Sequence, residues 1–321
     1  MRFNLALALG FAAAVQSAAL AQSYPSKPIR FIVADGPGSA GDLRARLLAT
    51  KLTESLGRPV IVDNRPGASF IVGAEAAAKA LADGYTIFMG NMVTHSLNPL
   101  LFKSLPYRPN EQFVPVTMVS AGPLIVVVHA SVPATTLAEL VALAKGRPNQ
   151  LGYGAPGLGS PQHLVMEQIK RDTGAQFTMV PYKATGTMIQ DLVGGHLPLT
   201  MNYWSVLASH VQSGKVRALA VAAPRRLDAA PDIPTFAEAG LPGMDCQVWQ
   251  GIFVPTGTPR AVIARLHADI SLAINSPEIR RNIIETGAEP GGNSPEDFAA
   301  MIRADQEKWR GLAAAVVLEQ Q

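Results

Sequence analysis

The residue pattern with the clearest chemistry is Gly36-Pro37-Gly38-Ser39-Ala40-Gly41-Asp42. It lies between the apolar run Ile29-Arg30-Phe31-Ile32-Val33 and a helical pattern opening at Leu43. A strand, a glycine-rich loop and a helix start together make an anion site. The first helical turn leaves backbone N–H groups unpaired, and the helix dipole favours negative charge there. No Lys or Arg falls within residues 36–42, so a bound anion would be held mainly by backbone and hydroxyl donors. Three readings compete. Gly36-x-Gly38-x-x-Gly41 matches the dinucleotide fingerprint, and Asp63 follows near the offset of a ribose-binding acid. A carboxylate-binding loop in an exported solute receptor would use the same geometry. A structural βα turn would bind nothing.

A second loop of this kind follows later: Ala155-Pro156-Gly157-Leu158-Gly159-Ser160, opening a helix at Pro161-Gln162-His163. Ser160 as N-cap with Pro161 in the first helical position is a start signal. Two helix N-termini facing each other across a cleft would suit a carboxylate. Further candidates lie at the ends of expected strands, where open α/β sheets bind ligands. They are Asn91, Thr94 and His95 in one loop and Asn202, Tyr203 and Trp204 in another. Against these stand structural readings, with His95 as a capping or buried histidine and the aromatics as helix-start packing.

The elements that must position these residues follow from periodicity. Asp42 is the expected N-cap of a first helix carrying Leu43, Leu47, Leu48 and Leu52, ended by Gly57. Pro59–Asp63 and Tyr85–Met89 read as strands, with an Ala-rich helix at Glu75–Ala82 between them. This alternation predicts right-handed crossovers and a parallel sheet. Phe113–Val128, interrupted by Gly122-Pro123, reads as a strand leaving one sheet for another, and Val248–Val254 as its return. Helices starting at Thr258-Pro259 and at Ser294 should pack back on the first domain. The expected division is a leader at 1–21, domain 1 at 22–121 and 248–321, and domain 2 at 122–247.

Composition narrows the function. Arg2, the apolar run from Leu5 to Val15 and Ala19-Leu20-Ala21 form a secretory leader with cleavage near Gln22. The expected compartment is the periplasm, which weighs against a preloaded nucleotide cofactor. Apolar residues make up 48% and charged residues 16%, enough for a large core. A net charge of +3 without basic runs argues against nucleic acid. The single Cys246 cannot form an internal disulfide and reads as a small buried hydrophobe. The six histidines show no metal-ligand spacing, and neither a nucleophile elbow nor a P-loop is present. No catalytic residue, metal or cofactor is therefore expected.

The chain resembles the tripartite tricarboxylate transporter substrate-binding proteins, the Bug/TctC family. The resemblance is carried by segments in order along its length: Tyr24–Arg30, Val62-Asp63-Asn64-Arg65-Pro66-Gly67-Ala68, Asp83-Gly84-Tyr85-Thr86, Asn98-Pro99, Val180-Pro181-Tyr182-Lys183, Asp232-Ile233-Pro234-Thr235 and Gly287-Ala288-Glu289-Pro290. It implies the type II periplasmic-binding-protein fold, two α/β domains hinged around a cleft. The implied protein is a monomeric receptor handing an organic acid to one large and one small integral membrane subunit. It also implies that the two glycine loops, 36–42 and 155–163, grip the ligand's carboxylates partly through water, with Tyr182 nearby. Three departures bear on the ligand. Gly41 stands where Thr is usual, Asn202 where Asp is frequent, and Phe70 where Gly is usual. Asn202 argues against amine-bearing ligands, and Phe70, Tyr203 and Trp204 suggest a flat or aromatic carboxylate. The alternatives are a nucleotide-dependent oxidoreductase using Gly36–Gly41 and Asp63, or a periplasmic partner of a membrane kinase.

Overall fold

The structure is a computed structural model that describes residues 24–182 and 184–318. The expected leader lies outside the described residues. The strands are β1 (Ile29–Val33), β2 (Val60–Asn64), β3 (Thr86–Asn91), β4 (Phe113–Pro123), β5 (Ile125–His129), β6 (Gly152–Ala155), β7 (Thr178–Pro181), β8 (Leu199–Asn202), β9 (Val216–Val221), β10 (Gln247–Pro255) and β11 (Glu289–Pro290). The longer helices are α1 (Ala40–Leu56), α2 (Ile71–Ala78), α3 (Leu137–Gly146), α4 (Pro161–Thr173), α5 (Thr185–Val193), α6 (Trp204–Gln212), α7 (Arg260–Ile274), α8 (Pro277–Glu285) and α9 (Pro295–Leu318).

These form two α/β domains, one per sheet. The first sheet has the order β11-β4-β10-β3-β1-β2, the second β7-β6-β8-β5-β9. In the first, β1 pairs in parallel with both β2 and β3, as the βαβαβ pattern requires, while β10 runs antiparallel to β3 and to β4. Only Leu124 separates β4 in the first sheet from β5 in the second, so the outward crossing is one nearly continuous strand. β10 lies along β4 with Gln247 opposite Pro123, making the return crossing its hydrogen-bonded neighbour.

The core of the first sheet is mainly aliphatic on the α1 side, with Ile29, Leu48, Leu52 and Ile270 fully buried beside Phe31. The other side is aromatic. His95 stacks on Phe253 with ring centroids 3.7 Å apart, and Asp305 accepts hydrogen bonds from Trp249 (3.1 Å) and Trp309 (2.8 Å), tying α9 to the crossing strand. Cys246 is buried. No helix among the described residues is long and apolar enough to cross a membrane.

Some local expectations are corrected. Ser39, not Asp42, caps α1: its hydroxyl accepts from the Asp42 N–H at 3.1 Å, and the Asp42 carboxylate answers by accepting from the Gly38 N–H at 2.8 Å. Both residue types cap well, and the acid takes the third helical position, reaching back one residue past the cap to Gly38 while the Ser39 N–H donates to the Gly36 carbonyl. Leu43 faces outward and is 56% exposed. α2 starts at Ile71 rather than Glu75 because Ala68, Ser69 and Phe70 form a turn with φ of 46°, 52° and 66°. α8 has no counterpart among the expected elements.

Candidate functional site

Between the two domains lies a cleft of about 450 Å³. The first domain contributes the end of β1 and start of α1 (Asp35, Ser39, Gly41, Arg44), then Phe70, Asn91 and Val93. The second contributes Pro156, Ser160, Pro161 and Gln162 before and within α4, Thr185 at the start of α5, and Asn202, Tyr203, Ser205 and Val206 around the start of α6. The crossing strands supply Ser120, Gly122, Pro123, Val248 and Gln250. Four helices, α1, α4, α5 and α6, thus begin at the cleft. Each brings the positive end of its dipole and N–H groups without intrahelical partners, so the cavity favours an anion.

The starts are built by side chains within the loops. The Ser160 hydroxyl donates to the Gly157 carbonyl at 2.7 Å and accepts from the His163 N–H at 3.3 Å. Asn91 and Thr94 cap one another: the Asn91 N–H donates to Thr94 Oγ1 at 2.9 Å and the Thr94 N–H to Asn91 Oδ1 at 3.0 Å. Asn202 Oδ1 accepts from the Tyr203 N–H at 2.9 Å.

Two charged side chains line the cleft among the described residues, Asp35 and Arg44, and sequence reasoning passed over both. Arg44 donates from Nη1 to Gln250 Oε1 at 2.6 Å, while its Nε is buried without a partner. Asp35 Oδ2 is likewise buried and unpartnered. Burial raises the Asp35 carboxyl to about 6; Arg44 opposes that rise and Asp42 adds to it. Burial lowers the Arg44 guanidinium, with Tyr203 and Asp35 pulling the other way. Burial also pushes the Tyr203 phenol up, helped by Cys246 and Asp35. Arg44, just beyond the glycine loop, adds a cation to the backbone and hydroxyl donors expected from that loop.

Of the residues singled out from sequence, Ser39, Gly41, Phe70, Asn91, Pro156, Ser160, Gln162, Asn202 and Tyr203 line this one cleft. Ala40 opens α1 beside it. Others stand outside the lining for physical reasons. Gly36, Pro37 and Gly38 fold onto their own loop, held by the Asp42 carboxylate. Asp42 is buried and also accepts from Arg46 (3.0 Å) and Asn64 (2.9 Å). Thr94 and His95 belong to the core, where burial lowers the His95 imidazole to about 3. Ala155 is buried at the end of β6, and His163 is buried with Nδ1 accepting from the Gly159 N–H at 3.0 Å. Tyr182 donates its hydroxyl to Asp191 at 2.7 Å, and Trp204 packs in the second domain's core. Asp63, the ribose-acid candidate, is engaged by Arg30 (2.6 Å) and Arg65 (3.0 Å).

Comparison with known proteins points to a solute receptor and does not favour a nucleotide enzyme. The family model described as "Tripartite tricarboxylate transporter family receptor", TctC, matches residues 44–318. Protein BugT of Bordetella pertussis is 35% identical over 297 residues, covering 91% of this chain and 90% of its own. Among solved structures, Rpa4515 of R. palustris with adipate is 34% identical with a TM-score of 0.83, covering 91% of this chain and 98% of that one. MatC from Rhodopseudomonas palustris with bound malate is 28% identical with a TM-score of 0.80, covering 90% and 100%. With the family match running through nearly the whole described structure and these receptors aligning over about nine-tenths of the chain, the chain belongs to the TctC family of periplasmic solute-binding receptors, the family of the Bug proteins.

Proposed function

We propose that this protein captures an organic carboxylate in the interdomain cleft and presents it to the large and small integral subunits of a tripartite tricarboxylate-type transporter. In this reading the leader is removed near Gln22 and the mature protein works as a periplasmic monomer without cofactor or catalysis. Domain 1 comprises residues 22–121 and 248–321, and domain 2 residues 122–247. The observation that carries it is Arg44, a cation without an ion-pair partner, on the wall of a cavity where four helix N-termini meet. A guanidinium edge and aligned N–H groups suit a planar carboxylate. Adipate and malate, bound by the two R. palustris relatives, set the size of acid to begin with.

The test is calorimetric titration of the mature protein with mono-, di- and aromatic carboxylates, repeated for Arg44→Ala. A charge-assisted hydrogen bond contributes about 1.5–3 kcal/mol, so the variant should lose about 10- to 100-fold in affinity. Silence across the panel, or equal affinity in Arg44→Ala, refutes the reading.

A further inference from the structure

Asp35 and Arg44 share one wall of the cleft, at the end of β1 and in the first turns of α1. Neither forms an ion pair within 4 Å among the described residues, although both line the cleft. Charged groups drawn out of water are costly unless paired, so an acid and a base left unpaired on one binding wall point to partners that arrive with a ligand. The backbone beneath them accommodates this arrangement. A Cβ at Gly41 would lie 2.5 Å from Asp35 Oδ2 and 2.8 Å from Gln250 Nε2, so the absence of a side chain leaves room for acid and amide together.

We propose that Asp35 and Arg44 form a dipolar subsite selecting a zwitterionic acid, whose carboxylate pairs with Arg44 and whose ammonium pairs with Asp35. This rests on the carboxylate-receptor reading and names the class of acid within it. A plain carboxylate satisfies Arg44 but leaves the ionised Asp35 beside a further negative charge. A hydroxy acid offers Asp35 a hydrogen bond without charge. An ammonium offers both. The neutral Asn202 on the second domain's wall suggested that amines are not bound. Asp35 restores an acid to the cleft from the first domain's side. The charged and titratable groups interacting with Asp35 are Arg44, Asp42 and Tyr203. Its carboxyl, raised to about 6, is ionised at neutral pH and gains a proton below that, so affinity for an ammonium ligand falls as pH drops through 6.

The test uses triplets that share a carbon skeleton: aspartate, malate and succinate; leucine, 2-hydroxy-4-methylpentanoate and 4-methylpentanoate; phenylalanine, phenyllactate and 3-phenylpropanoate. Titrations at pH 7.5 should show the amine-bearing member of at least one triplet binding at least tenfold tighter than its two analogues. Asp35→Asn should shrink that gap below threefold, with the variant's thermal melt confirming a folded protein. Amine-free acids binding as tightly as the amino acids, or a gap that survives Asp35→Asn, overturns the zwitterion subsite and leaves the receptor reading standing. Silence in every triplet and in the wider carboxylate panel overturns both.

Discussion

Replacing Asp35 with Asn should stabilise the ligand-free protein at pH 8 and leave it nearly unchanged at pH 4. In the folded chain the Asp35 carboxyl is raised from 3.8 to about 6 by burial, against the pull of Arg44. Between those two values the folded chain holds a proton that the unfolded chain has released. Stability therefore falls as pH rises through that window, by about 1.36 kcal/mol per pH unit at most and about 3 kcal/mol in full. That figure is a ceiling for the substitution. Asn forfeits the attraction of Arg44 and leaves an amide to be satisfied in the same place. The expected gain at pH 8 is about 1–2 kcal/mol, or about 2–4 °C in Tm. Below pH 4 the native carboxyl is protonated and behaves much like the amide. Thermal unfolding of both proteins at pH 4, 6 and 8, followed by circular dichroism, reads this directly. Tm curves for the two proteins that stay parallel from pH 4 to 8 would refute the claim that an uncompensated charge is buried in the cleft.

Gly41→Ala should weaken ligand binding by at least tenfold while costing the fold about 1–2 kcal/mol, because its Cβ displaces both the Asp35 carboxylate and the Gln250 amide; calorimetry and a thermal melt separate the two effects. Ser69→Gly should raise stability by up to about 1 kcal/mol, since the exposed Ser69 holds a φ of 52° that glycine adopts freely; a lower unfolding midpoint in urea would count against strain in that turn.

How much of this was legible in the sequence varies with the range of the interaction that decides it. Ser160-Pro161, Gly57 and Ser294 announced helix ends because caps are local, and the structure uses each of them so. Ser39 and Asp42 show where that stops. Either could cap, and only the bond from Gly38 to the Asp42 carboxylate decides between them. The two glycine loops lead to one shared cavity, yet the loop glycines at 36 and 38 turn away and the helix starts do the lining. Arg44 had a signal that went unused. It lies three residues after Gly41 and four before Leu48, on the buried side of α1, where an arginine needs a reason. Gln250 had none, since it reaches the site from a strand more than two hundred positions away. Three consecutive left-handed residues without glycine at 68–70 defy any local rule and displaced the start of α2.

Gln250 has a second allegiance. It lies on β10, paired with Asn91 on one side and Ser120 on the other, three residues from the end of the ribbon joining the two sheets. The side chain that braces Arg44 is thus fixed to the pivot itself. Under the proposed binding role of Arg44, a substitution in that ribbon is expected to reach the guanidinium through Gln250 and so to change affinity without touching the ligand.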